Sequence, residues 1–85
     1  MKEFDYTITD PEGIHARPAG LLVKEAKQYA SKITVSKGAK KGDLKKIFTV
    51  MGLGAKHGET IHIQVEGPDE DTAAPAIENF LKAHL

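Results

Sequence analysis

Eight consecutive residues, Gly13-Ile14-His15-Ala16-Arg17-Pro18-Ala19-Gly20, assemble the groups needed to carry a phosphoryl group. Proline is tolerated in a helix only within the first turn, where its missing N–H is not needed, so Pro18 marks a helix start close to His15. A helix start leaves backbone N–H groups unpaired and carries a partial positive charge, which makes it a seat for phosphate oxygens. Histidine is a nucleophile that ionises near neutral pH. Arginine is a permanently charged fork that matches phosphate oxygens. The amides of Ala16 and Arg17, together with the Arg17 side chain, are expected to steady a phosphoryl group on His15 without a metal. Taken alone, His15 is more simply a capping or surface histidine and Arg17 a solvated first-turn residue. A cation at the positive end of a helix is mildly unfavourable, however, which argues that Arg17 has a functional reason to be there.

The remaining residues must hold this segment in place. A chain of 85 residues builds one small domain, read here as residues 1–85. The absence of cysteine excludes disulfides and thiolate metal sites. Lysine and arginine total 12 and so do aspartate and glutamate, which argues against bulk electrostatic binding to nucleic acid or an anionic membrane. The charges are unevenly placed. Lys37, Lys40, Lys41, Lys45, Lys46 and Lys56 crowd the middle, and Glu66, Asp69, Glu70, Asp71 and Glu78 the end. No stretch approaches the roughly 20 apolar residues of a membrane span. Met1 to Asp10 reads as a strand rather than a signal peptide, so a cytoplasmic protein without membrane insertion is expected.

Phe4, Tyr6 and Ile8 alternate with Asp5, Thr7 and Thr9, the period of a half-buried strand. Asp10-Pro11-Glu12-Gly13 is turn chemistry. A helix is predicted from about Ala16 to Tyr29, with Ala19, Leu22, Val23, Ala26 and Ala30 toward the core. Ile33 and Val35 mark a second strand. The lysine-rich turn from Gly38 to Gly42 leads into a weak third strand near Lys41 and Asp43. Leu44 to Gly54 reads as a short helix closed by glycine and weakened by Gly52. Thr60 to Glu66 alternates with Ile61, Ile63 and Val65 inward, and Gly67-Pro68 breaks it. The last helix carries Asp69, Glu70 and Asp71 near its positive end and an apolar stripe of Ile77, Phe80 and Leu81. Pro75 deep in that helix would cost a backbone hydrogen bond, so a start near Asp71 or a distorted first turn is expected. The order of elements predicts a two-layer α+β domain with a largely antiparallel sheet covered on one face.

Leu21 falls on the outward stripe with Arg17, Lys24 and Gln28. A single exposed leucine is ordinary, but with Ile47, Phe48 and Met51 it would form an apolar docking patch beside His15. Phe48 reads equally well as plain core. Gly20, one turn after Arg17, would let a partner approach the helix closely at some cost in helix stability. Lys24, Lys27, Lys45, Lys46 and Lys56 are ordinary solvated charges one by one; as a group they would edge the site and steer acidic partners. His57, His62 and His84 show no metal-ligand spacing, and no metal or cofactor is expected.

On its motifs the chain resembles HPr, the histidine-containing phosphocarrier family of the bacterial sugar phosphotransferase system. The resemblance spans essentially all of the chain. It is carried by Gly13-Ile14-His15-Ala16-Arg17-Pro18-Ala19, by Leu44-Lys45-Lys46-Ile47-Phe48-Thr49-Val50-Met51-Gly52-Leu53-Gly54, and by Glu66-Gly67-Pro68-Asp69-Glu70. It implies an open-faced β-sandwich, with a four-stranded antiparallel sheet covered on one face by three helices in the order βαββαβα. It also implies that enzyme I, charged by phosphoenolpyruvate, passes its phosphoryl group to Nδ1 of His15. The group then goes to the IIA unit of a sugar transporter, with Arg17 as the phosphate-associated arginine. Such a protein is a stoichiometric intermediate, not an enzyme, and no large apolar surface here demands more than a monomer.

One departure bears on regulation. Most sugar-system members begin the second motif's helix with a serine, which in many Gram-positive members is phosphorylated by a dedicated kinase and then binds a catabolite-control repressor. Lys46 stands there in this chain and cannot accept that phosphate, which puts the kinase and repressor partnership in doubt. Two other readings stay open. One is a regulatory or nitrogen-type module whose phosphorylation state is read by a partner. The other is a non-covalent anion-binding domain.

Overall fold

The computed structural model covers residues 1–85. Its elements are β1 (Lys2–Thr7), α1 (Ala16–Ala26), β2 (Lys32–Lys37), β3 (Lys40–Asp43), α2 (Ile47–Gly52), β4 (Thr60–Glu66) and α3 (Glu70–His84). One sheet runs in the order β1-β4-β2-β3 with every neighbour antiparallel. Register follows the apolar alternation. Phe4 faces Ile63 and Tyr6 faces Ile61 across β1 and β4, while Ile33 faces Val65 and Val35 faces Ile63 across β2 and β4. A one-residue slip would turn all of these side chains to water.

Ile33, Val35, Ile61, Ile63 and Val65 are fully buried on the covered face of the sheet. Over them lie Ala19, Leu22, Val23 and Ala26 of α1, Val50 of α2, and Ala73, Ala74, Ile77 and Leu81 of α3. Burial of each such Leu, Ile or Val contributes about 1.5–3 kcal/mol, the main favourable contribution in a chain of this size. The four-stranded antiparallel sheet and three helices are the open-faced β-sandwich expected. β3 adds no fully buried side chain, in keeping with its weak pattern.

Two helix boundaries differ from expectation, and that of α3 falls close to it. α1 ends at Ala26, not Tyr29, because Gln28 and Tyr29 donate to the carbonyls of Glu25 and Ala26, three residues back, and tighten the last turn. Ala30 is consequently exposed rather than in the core. Asp69 reaches across to hold this corner: its carboxylate accepts the amides of Ala30 (2.8 Å) and Ser31 (2.9 Å) and the Ser31 hydroxyl. The hydroxyl bond, followed by the Ala30 amide, holds the Asp69 carboxyl below its ordinary range. α2 is Ile47–Gly52 rather than Leu44 to Gly54. Leu44 is buried but donates its N–H to Ile33 O at 2.9 Å, and the Asp43 side chain accepts the Lys45 amide at 2.8 Å, so this stretch is a turn leaving the sheet. α3 starts at Glu70 and takes Pro75 into its interior. Pro75 and Asp71, whose carbonyl loses its usual donor, both lie on the exposed side, where water replaces the missing bond.

The uncovered face of the sheet carries a charged cluster. His62 Nδ1 lies 2.6 Å from Asp5 Oδ1, and Nε2 lies 2.9 Å from Glu3 Oε1. Hydrogen bonds donated by the ring to Asp5 and then Glu3 raise the His62 pKa above its ordinary value. A raised folded-state pKa stabilises fully below the unfolded value and is lost as pH climbs through the folded one. In urea unfolding, the stability gap between wild type and His62→Gln is expected to be larger near pH 6 than near pH 8.5.

Candidate functional site

The loop between β1 and α1 places His15. Asp10 opens it: its side chain accepts the Glu12 amide at 2.8 Å and its carbonyl the Gly13 amide at 2.9 Å. Gly13 then takes a left-handed conformation (φ 68°), and Ile14 donates to Ala55 O at 2.9 Å. His15 follows as the N-cap of α1, its carbonyl accepting the Ala19 amide at 3.0 Å. Ala16 and Arg17 are the first two helical residues, and helix geometry leaves their N–H groups without intrahelical partners. Pro18 is buried in the first turn and has no N–H to satisfy.

The His15 ring is 37% exposed and makes no capping bond to its own helix. Nε2 lies 3.5 Å from Asp10 Oδ2 and 3.5 Å from Glu12 Oε2. The ring lines an open depression of about 300 Å³ with Asp10, Arg17, Pro18, Leu21 and His84. The Asp10 carboxyl is held below its ordinary range, first by the Glu12 amide and then by His15. The end of α3 closes one side. Leu85 O accepts the Thr9 amide (2.6 Å), the Asp10 amide (2.8 Å) and the Thr9 hydroxyl (2.9 Å), and the His84 ring packs 4.3 Å from Phe80, centroid to centroid.

His15 and Arg17 therefore line one depression, His15 at the N-cap of α1 and Arg17 in its first turn. Asp10, Glu12 and His84 were not anticipated. The two acids read only as turn residues, and His84 as part of a frayed end. His15, Asp10 and Glu12 also bring three donor atoms within 4.8 Å of one another, enough for a small cation but only by occupying the His15 ring nitrogen. No pair of histidines in the sequence signals this mixed trio, because two of its three members are carboxylates of a turn.

Leu21 (43%), Phe48 (89%) and Met51 (38%) are exposed, which rules out the core reading of Phe48. Ile47 is half-buried against the core, and Gly20 faces open space. Phe48 also borders a larger depression of about 440 Å³ with Lys40, Lys41, Thr49, Gly52 and Leu53, but His15 takes no part in it. Lys24, Lys27, Lys46 and Lys56 are exposed. Lys45 does not edge the site: its Nζ donates to Tyr29 O at 2.7 Å and ties the end of α1 to the turn before α2. Lys46 is the N-cap of α2 and makes no side-chain capping bond.

The family model of the PTS HPr component phosphorylation site matches residues 2–83. The chain belongs to the HPr family. It is 46% identical over 81 residues to the phosphocarrier protein HPr of Mycoplasma capricolum, covering 95% of this chain and 91% of that protein. A solved structure of a histidine-containing phosphocarrier protein from Mycoplasma superposes with a TM-score of 0.93 at 43% identity, covering 96% of this chain and 93% of that one. HPr from Thermoanaerobacter tengcongensis superposes equally well, at a TM-score of 0.93 and 37% identity, covering 99% of this chain and 94% of that one. HPr members are phosphocarriers of the phosphoenolpyruvate-dependent sugar phosphotransferase system, and this chain is one of them.

Proposed function

We propose that His15 Nδ1 takes the phosphoryl group from enzyme I and hands it to a sugar-specific IIA unit, as a stoichiometric covalent intermediate in the cytoplasm without enzymatic turnover of its own. The observation that supports this is the solvent-open His15 ring at the N-cap of α1, where the amides of Ala16 and Arg17 are unpaired and Arg17 shares the depression. The Nδ1 lone pair attacks phosphorus, and the amides and the guanidinium steady the oxygens. Because the carrier must also release its cargo, its own contribution is modest and the partner proteins supply most of the positioning. Transfer from phosphoenolpyruvate through purified enzyme I, read by intact mass and ³¹P NMR, tests the assignment. An acid-labile adduct on His15 that discharges to a sugar-specific IIA unit is expected. Discharge only to a nitrogen-type acceptor would favour the regulatory reading.

Gly20, Leu21, Lys24, Lys27, Ile47, Phe48 and Met51 are the proposed docking residues. Small interfaces rely on a few apolar anchors, and Phe48, 89% exposed, has no structural reason to be aromatic. Phe48→Ala is expected to weaken binding to enzyme I or IIA by roughly fivefold or more, with little change in stability. Titration calorimetry together with a urea melt checks both halves. Control by a seryl kinase and its repressor is not expected here, because the α2 N-cap is Lys46, which has no hydroxyl to phosphorylate.

A further inference from the structure

A histidine that attacks through one ring nitrogen works best when the other keeps its proton, and the loop ahead of α1 sets two carboxylates within ion-pair distance of that second nitrogen. Asp10 Oδ2 and Glu12 Oε2 each lie 3.5 Å from His15 Nε2. The Asp10 end is anchored at three points, by the Glu12 amide on its side chain, the Gly13 amide on its carbonyl, and its own amide on Leu85 O. Its side chain is 23% exposed, whereas that of Glu12 is 75% exposed. We propose that Asp10 and Glu12 are positioning residues for phosphoryl transfer. They hold the Nε2–H of His15, leave the Nδ1 lone pair for phosphorus, and offset the positive charge that the ring gains. The inference rests on the carrier reading above.

The chemistry balances without any proton leaving Nε2. In the loading step the Nδ1 lone pair forms the nitrogen–phosphorus bond while the donor's bond to phosphorus breaks and the donor keeps that electron pair. The ring, still protonated on Nε2, becomes a cation facing two carboxylates. In the unloading step the Nδ1–phosphorus bond breaks, its pair returns to Nδ1, and neutral imidazole leaves. Without the Nε2 proton the leaving group would be imidazolate, a far poorer one. A carboxylate within about 4–6 Å favours the charged form of a base. Asp10 and Glu12 therefore keep the adduct transferable as the pH rises. Other charges also face the ring or its partners. Arg17 from α1 and His84 from α3 line the same depression, and His57 acts on Asp10 from the segment before β4. The comparison of variants isolates the two carboxylates from this background.

The test uses protein phosphorylated chemically with phosphoramidate, so that it does not depend on enzyme I, and follows the Nε2 titration of the adduct by ¹⁵N NMR. The variant carrying both Asp10→Asn and Glu12→Gln is expected to have its adduct midpoint at a measurably lower pH than that of wild type. Each single variant should fall between. Asp71→Asn removes the same charge on α3 beside Lys2 and should leave the midpoint in place. An unmoved midpoint in the double variant, or an equal movement in Asp71→Asn, overturns the inference. Failure of wild-type protein to load from enzyme I would instead overturn the carrier reading, because the NMR comparison is made without that partner.

Discussion

His15→Ala is expected to take up no phosphoryl group from phosphoenolpyruvate and enzyme I, yet to unfold at nearly the same urea concentration as wild type. Both halves follow from where the ring sits. Nothing else in the depression can serve as the covalent acceptor on a helix start: Arg17 is a cation, Pro18 and Leu21 are apolar, and Asp10 is tied into the loop. His84 lines the same depression but lies near the C-terminal end of α3 and not at a helix start. The fold scarcely notices the loss. The ring is 37% exposed and makes no capping bond to α1, so the usual cost of removing a capping side chain, about 1 kcal/mol, does not apply. A change within about 0.5 kcal/mol is expected. Residual labelling of His15→Ala by intact mass would move the acceptor elsewhere. His15→Gln separates the remaining alternative, since a non-covalent anion site built from the same amides and Arg17 would still bind phosphate after that change.

The parts of the molecule that could be read from the chain are those set by local pattern. Alternation over Thr60–Glu66 and around Ile33 and Val35 specifies which strand face is buried, and the structure buries those residues. Pro18 specifies a helix start, and α1 begins two residues before it. The misses have non-local causes. Lys27, Gln28 and Tyr29 are acceptable helix residues, but Asp69, about forty positions away, captures the amides just beyond them. Asp69 itself was read as a charge for the helix dipole, because nothing local shows that its carboxylate turns back to another corner. Pro75 points to a late start near Asp71 or a distorted first turn, and α3 does begin at Glu70; the proline itself falls on the exposed side, where water can replace the lost hydrogen bond. Asp10 and Glu12 carry the commonest chemistry of turns, and only the loop's three-dimensional course aims both at one ring nitrogen. Spacing along the chain therefore picks out the proposed nucleophile but not the carboxylates beside it.

The glycine between those acids and the nucleophile predicts the largest loss of stability. Gly13 sits at φ 68°, a conformation that glycine adopts freely and L-residues with a Cβ rarely do. A Cβ there would lie 2.5 Å from Ala55 O and 2.7 Å from Lys56 Cα. Both obstacles are backbone, so no side chain can swing aside to make room. Ala55 O is also the acceptor for the Ile14 amide at 2.9 Å, the bond that docks the loop against the segment after α2. Gly13→Ala therefore combines a left-handed non-glycine residue, about 1–3 kcal/mol, with a clash that pushes on that hydrogen bond. A total loss of about 3 kcal/mol or more is expected, a large share of the roughly 5–15 kcal/mol that holds a small domain together. Urea unfolding at unchanged slope would read it as a lower midpoint. The functional consequence is separable from the loss of fold. Ile14 leads directly into His15, so moving the loop by about 1 Å shifts the nucleophile from the free amides of α1 and should slow loading by about a hundredfold in protein that remains folded. A Gly13→Ala variant as stable as wild type would show that the loop can turn without glycine, whereas a destabilised variant that loads at the wild-type rate would show that His15 is held by α1 alone.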